Sequence, residues 1–374
     1  MVEEIVIIGG GPVGLLTGIK LLENGFDVKI YEEDKQVGYP QHCTGIISFK
    51  TLELYPIEGH DLIINKLRGV RLRISDKFLE EYVASTPKAI VIDRILLEKK
   101  LYWKYIDKGG EIYLGKRMNP KRLADAIEKT NGVVVNAGGG KELIKSGYRD
   151  ILTGFQMDVE SVDKWIKDDV TEVYVDKRLN SEYFCWITPL TNNYLRIGTA
   201  SSERVRDIVH QIGGTLGIPI DRVVKEFGGI VIAGGPRKKF KDKNMVYVGD
   251  SAGMNKITTG GGLNYGGNGA MILTDMLYDG ELTNYRRRWI EKFKRELQIQ
   301  GILRELFLSM EENEIVEAMS ILSKTEVFNA LLSTGDMDYH ASDLHKLLFE
   351  KDLMKIVLGR GRFRWIIKKL FTKI

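Results

Sequence analysis

Three parts are predicted for this chain of 374 residues: a discontinuous α/β domain around a parallel sheet, an antiparallel β-sheet domain, and a C-terminal helical region. Three observations predict them. The chain opens with a strand, a Gly-x-Gly-x-x-Gly turn, a helix and a second strand. Another strand running into glycines ends near residue 250. From Tyr285 onward the apolar spacing is helical. The first part makes the class α/β; counted over the whole chain it is α+β.

Composition bounds the reading. Hydrophobic residues are 43% and charged residues 28%, the balance of a soluble globular protein. The net charge is +4, yet residues 355–374 alone hold seven Lys and Arg and no acid. The rest is net negative, which argues against nucleic acid as a partner. Two cysteines, Cys43 and Cys185, are too few for a Cys-ligated cluster or a disulfide framework, and two separate thiols are expected. The start, Met-Val-Glu-Glu, is no secretory signal, and no apolar run reaches the ~20 residues that span a bilayer. A cytoplasmic protein, peripheral to a membrane at one end, is expected. His60, His210, His340 and His345 lack metal-ligand spacing, so no metal is assigned.

The opening motif is Rossmann-like. Glu4–Ile8 reads as a buried strand, Gly9, Gly11 and Gly14 form the turn, and the helix that follows stops at Gly25. The glycines allow a tight turn, close approach to a pyrophosphate, and close helix–strand packing. The helix N-terminus then faces the phosphates. Glu32, 21 residues after Gly11, ends the second strand where a ribose-binding carboxylate belongs. Alone, this unit does not separate NAD from FAD.

The second motif does. Asn244–Val248 reads as a strand running into Gly249-Asp250-Ser251-Ala252-Gly253, and Gly260, Gly261 and Gly262 then open a helix at Leu263. Asp250, at a strand's carboxyl end, points into the crevice and can accept from a ribityl hydroxyl, which NAD lacks. The glycine-rich helix start offers N–H groups near flavin N1 and the C2 carbonyl. FAD is the expected cofactor, held by Gly9, Gly11, Val13, Gly14, Glu32, Asp250, Gly260, Gly261, Gly262 and Leu263.

These motifs resemble the p-hydroxybenzoate-hydroxylase superfamily of FAD proteins and, more closely, its geranylgeranyl reductases. Three stretches carry the closer resemblance: Val37–Gly45 with Cys43, Asp93–Glu98 with Arg94, and Phe184–Pro189 followed by Arg196-Ile197-Gly198. It covers roughly residues 1–285. It implies a Cys43 loop beside the flavin, with Thr44, Gly45 and Arg94 on the cofactor. It also implies a substrate site with Phe184, Trp186 and Pro189. Phe184 and Thr188 stand where the family usually has Tyr and Phe, and Ile257 where it has Pro. The Val133–Gly139 run is similar to the superfamily's middle motif without its acid.

The resemblance implies hydride addition to an isoprenoid double bond of a membrane lipid or its precursor. The second alkene carbon then needs a proton. Cys43 is one source, with its neighbours His42 and Tyr39 as others. The electron donor is transient, either NAD(P)H or a ferredoxin-like carrier. An aromatic monooxygenase or halogenase, and a non-catalytic electron-transfer flavoprotein, are the alternatives. Arg94 could instead pair with Glu98 on the surface, one helical turn on.

The FAD-binding domain is expected from residues 1–66, 91–140 and 237–284. The substrate-binding sheet is expected from 67–90 and 141–236, including strands at 68–75, 171–176, 183–188 and 194–200 under a helix at 205–218. Residues 285–374 form the helical region, and 360–374, basic and amphipathic, suit an anionic membrane surface.

Overall fold

The computed structural model describes residues 4–160, 167–191, 193–218, 220–325, 336–339 and 354–356. The basic stretch 360–374 lies outside them. Among the described residues no helix is long and apolar enough to cross a membrane.

The first sheet has six strands in the order Lys241–Asp242, Met245–Tyr247, Val133–Asn136, Ile5–Ile8, Val28–Tyr31, Glu111–Tyr113. All neighbours are parallel except the hairpin at 241–247. Ile5–Ile8 is buried at every position, as a strand covered on both faces must be. The helix Pro12–Glu23 packs on it, flanked by the helices Arg94–Asp107 and Leu263–Tyr278. Register puts the carboxyl ends level, with Ile8 beside Tyr31 and Asn136, and Asn136 beside Tyr247. The crevice at those ends is where a doubly wound sheet binds ligands.

The second sheet has seven strands: Val223–Ile232, Ile151–Glu160, Tyr194–Ser201, Cys185–Thr191, Val170–Val175, Gly69–Ile74 and Phe78–Val83. The expectation was an antiparallel sheet. One pair, Val170–Val175 with Gly69–Ile74, is parallel, because the chain travels through the first sheet between them. Successive side chains alternate faces. Cys185, Ile187, Leu195, Ile197, Met157 and Val159 pack against Val209 and Ile212 of the helix Val205–Thr215. On the opposite face Gln156, Gly198, Trp186 and Val173 form one cross-strand row. The sheet is thus a wall with a helix behind it and that row in front.

A three-stranded sheet, Ile46–Ile47, Ala89–Ile92 and Ile63–Leu67, carries the chain between the two large ones. The helices Tyr285–Ser309 and Glu312–Leu322 follow the predicted helical pattern. Cys43 and Cys185 are free thiols, and burial pushes the Cys185 thiol far up.

Candidate active site between the two sheets

One cavity of about 1140 Å³ runs from the glycine turn of the first sheet to the front of the second. An ordinary ligand pocket holds about 300–1,000 Å³. This one has room for a dinucleotide and a second molecule.

At one end Glu32 accepts the N–H groups of Gly10 at 2.6 Å and Asp34 at 2.7 Å. These bonds brace the turn. Burial nonetheless lifts the Glu32 carboxyl above its usual range, more than the two N–H groups lower it. Gly11 lines the cavity, and beyond its own stretch of chain no described residue comes within 4 Å of where its Cβ would be. Gly9 is absent from the lining. It has φ +103°, and a Cβ there would meet the Ala137 carbonyl oxygen at 2.4 Å. Val13 touches both motifs: Cβ atoms placed at Gly249 and Gly266 fall 3.2 and 2.9 Å from its methyl groups.

In the middle, Asp93 caps the helix that Arg94 opens. Arg94 pairs with Glu98 at 2.7 Å, but the pair is buried, with side chains 12% and 14% exposed. Its Nε is enclosed without a partner among the described residues. Burial works against the Arg94 charge, yet Cys43 and Glu98 beside it hold its pKa up. Asp250 lines the cavity, and burial, only partly opposed by Arg94, pushes its carboxyl up to about 6. Gly262 sits against it, 2.6 Å from Asp250 Oδ1 to a built Cβ. Leu263 and the three glycines complete this wall. A half-buried carboxylate facing open space, an orphan guanidinium nitrogen and a glycine cradle fit the ribityl, phosphate and ring portions of FAD.

At the far end the Cys43 loop is clamped to the second sheet. Thr44 Oγ1 donates to Gln156 Oε1 at 2.9 Å, and Gln156 Nε2 donates to the His42 carbonyl at 3.1 Å. Arg196 Nη1 donates to the Thr44 carbonyl at 2.6 Å while its fork grips Asp158 at 2.7 and 2.8 Å. Cys43 is half-buried and its Sγ accepts the Gly45 N–H at 3.4 Å. His42 Nδ1 lies 2.8 Å from the Gly228 carbonyl, so this nitrogen carries the proton. Tyr39 is 44% exposed at the rim.

Trp186 and Phe184 line the cavity edge to face, their centroids 6.1 Å apart, and Tyr183 stacks on Phe184 at 4.7 Å. Gly198 makes room for the indole, since a Cβ there would lie 2.7 Å from Trp186 Cε2. Besides Gly9, two further predicted residues stand apart from the lining. Pro189 is odd-numbered in its strand, so it faces away from Trp186, and its carbonyl accepts from Asn65 at 2.9 Å. Gly45 is a turn residue at φ +88°, packed on the Ile92 carbonyl and outside the lining. Sequence reading missed Gln156, Asp158 and Lys256. The alternation Phe155-Gln-Met-Asp-Val159 was the available signal for the first two.

The clamp yields a prediction. Arg196→Met leaves Asp158 buried and unpaired, at an expected cost of about 3–5 kcal/mol. Urea unfolding should show that loss. Adding Asp158→Leu should restore most of the stability but not the anchor on Thr44. Full stability with parental turnover in the double variant would mean the clamp does not position the loop.

No protein-family model matches the chain. An uncharacterized protein of Methanocaldococcus jannaschii is 30% identical, over 94% of this chain and 96% of the relative. Digeranylgeranylglycerophospholipid reductase 1 of Methanothermobacter thermautotrophicus is 24% identical, over 93% and 92%. The crystal structure of a geranylgeranyl bacteriochlorophyll reductase-like protein from Thermoplasma acidophilum superposes with a TM-score of 0.75 at 17% identity, covering 94% of this chain and all of that one. The chain belongs to the geranylgeranyl reductase family of FAD proteins. As a member of that family it is a flavin oxidoreductase. The geranylgeranyl reductase fold extends to halogenases: the flavin-dependent brominase Bmp2 superposes with a TM-score of 0.63 at 14% identity, over 94% of this chain and 99% of that one.

Proposed function

We propose that the protein saturates isoprenoid double bonds of a membrane lipid or its precursor. One observation carries this reading: a wall built on Trp186 and Phe184 and the Cys43 loop face the same cavity that the dinucleotide motifs enter. FAD, when bound and reduced, supplies a hydride. The chain's residues do the rest. Gly11, Arg94, Asp250 and the 260–262 glycines hold and orient the cofactor. The aromatic wall excludes water and aligns a hydrocarbon chain that offers no polar handle.

The proton for the second alkene carbon is assigned to Cys43. His42 commits its Nδ1–H to the Gly228 carbonyl, so that proton is not offered to the cavity. Tyr39 sits at the exposed rim. Cys43 is half-buried, lines the cavity and stands beside the Arg94 charge. NAD(P)H or a ferredoxin-like carrier delivers the electrons transiently, and the basic stretch 360–374 brings the protein to an anionic membrane.

Two measurements test this. Reduced protein mixed with a geranylgeranylated lipid under strict anaerobiosis should yield a product two mass units heavier per bond; a requirement for oxygen would place it with the monooxygenases. Cys43→Ala should keep FAD and lose roughly 10²–10⁴-fold in reduction, the range of general acid catalysis. Parental turnover in that variant would remove Cys43 from the chemistry.

A further inference from the structure

Two consecutive residues ahead of the glycine cluster tie it to the C-terminal part of the chain. Ile257 donates its backbone N–H to Gln300 Oε1 at 3.0 Å. Gln300 Nε2 donates to Tyr265 Oη at 2.8 Å, and Tyr265 Oη donates to the Asp338 carbonyl at 3.3 Å. Next to Ile257, Lys256 forms an ion pair with Asp338 at 3.1 Å, the side chains only 7% and 2% exposed. Lys256 Nζ also donates to the Met337 carbonyl at 3.1 Å. Asp338 accepts from Thr51 Oγ1 at 2.7 Å and from Ser48 Oγ.

Lys256 also shapes the loop from within. Its N–H donates to the Gly261 carbonyl at 3.0 Å, and its own carbonyl accepts the Gly260 N–H at 2.8 Å. Its side chain runs behind Gly261, where a built Cβ would lie 2.8 Å from Lys256 Cε. Lys256 and Gly261 both line the main cavity.

A buried ion pair adds little net stability over a well-packed apolar pair, because desolvation offsets the attraction. Stability therefore does not account for this one. Burial works against the Asp338 charge, but Lys256 and the Ser48 and Thr51 hydroxyls more than offset it, so its carboxyl sits below the usual range. Asp338 is thus a carboxylate, and its ion pair with Lys256 adjoins the glycine cradle assigned to the flavin ring.

We propose that Lys256 and Asp338 together tune the flavin: Lys256 sets a positive charge behind Gly261, near where a flavin gains negative charge on reduction, and Asp338 fixes and tempers that charge. Lys256 is a positioning residue that acts through the loop and its field. The proposal rests on FAD occupying the cavity with its ring at residues 260–262, and not on the identity of the substrate.

The test is the midpoint potential of the flavin-loaded protein, titrated with a reference dye. Lys256→Gln should lower the potential by about 30 mV, a tenfold loss of preference for reduced over oxidised flavin. Asp338→Asn should raise it, and Lys256→Arg should leave it near the parent. Shifts of less than twofold in that preference for both Lys256→Gln and Asp338→Asn would overturn the proposal. So would shifts of one sign in all three variants, the mark of a merely loosened loop. If Asp338→Asn does not fold, Lys256→Gln against Lys256→Arg decides alone. A parent protein that holds no FAD overturns the cofactor reading and this proposal with it, an outcome distinct from unmoved potentials in a flavin-loaded series.

Discussion

Gly14→Ala is expected to give a protein that neither packs its first helix nor retains FAD. A Cβ at Gly14 would lie 2.0 Å from the Gly9 carbonyl oxygen and 3.3 Å from Ala137 Cβ. The first of these is backbone, in a turn already pinned by the Gly9 N–H to the Tyr31 carbonyl at 2.8 Å. Neither side can yield cheaply, so the helix Pro12–Glu23 must move off the sheet. Overpacking costs about 1–3 kcal/mol where side chains can adjust, and more is expected here. Thermal melting and flavin absorbance per protein should fall together. Gly11→Ala is the control that separates fold from cofactor. Its Cβ meets nothing in the folded chain, and its φ of −71° suits any residue. Apoprotein melting should therefore be unchanged. The added methyl enters the space assigned to the pyrophosphate, and FAD affinity should drop roughly 10–100-fold for a clash of about 1–3 kcal/mol. Equal FAD affinity in Gly11→Ala would show that no pyrophosphate passes over this turn.

That contrast also shows what the sequence could reveal. Gly9, Gly11 and Gly14 were legible because local rules demand glycine at each, for three different reasons. Asp250 was legible because it closely follows a buried strand, Met245–Tyr247. Less visible were the strands Ile151–Glu160 and Val223–Ile232, which clamp the Cys43 loop. Gly228 and Gly229 in the latter look like a turn. They are instead places of close approach: built Cβ atoms would meet the Gly154 carbonyl at 2.3 Å and His42 Cβ at 2.9 Å. Gln156 and Asp158 carry no local signal because their partners, Thr44 and Arg196, lie far off in sequence. Lys256 was hidden for the same reason, its partner Asp338 lying in the segment 336–339, which has no secondary-structure signal of its own. Arg94 shows both outcomes at once: the predicted Glu98 pair exists, but inside the cavity, with one nitrogen still open.

Asp250→Asn is expected to stabilise the apoprotein and weaken FAD binding, a pairing of opposite signs that a structural residue would not produce. Asp250 titrates at about 6 in the folded chain against an ordinary 3.8. A folded pKa above the unfolded one means the protonated form favours the fold. The contribution of this group is therefore full below about pH 4 and is lost as pH rises through about 6. At neutral pH the loss is at most about 3 kcal/mol, from 1.36 kcal/mol per unit. Asparagine removes that burden, so the apoprotein should melt higher at pH 7 than the parent. FAD reverses the balance, because a ribityl hydroxyl donating to the carboxylate favours the charged form. Parent FAD affinity should accordingly fall as pH drops below about 6, approaching tenfold per unit, and level off above it. In Asp250→Asn the charge-assisted bond becomes a neutral one, a loss of about 1–1.5 kcal/mol or roughly tenfold in affinity, and the pH dependence through 6 should vanish. Fluorescence titration of FAD from pH 5 to 8 reads both effects. A parent affinity that is flat across that range would mean the Asp250 carboxylate does not hold the ribityl chain, and with it would go the feature that distinguishes FAD from NAD in this cavity.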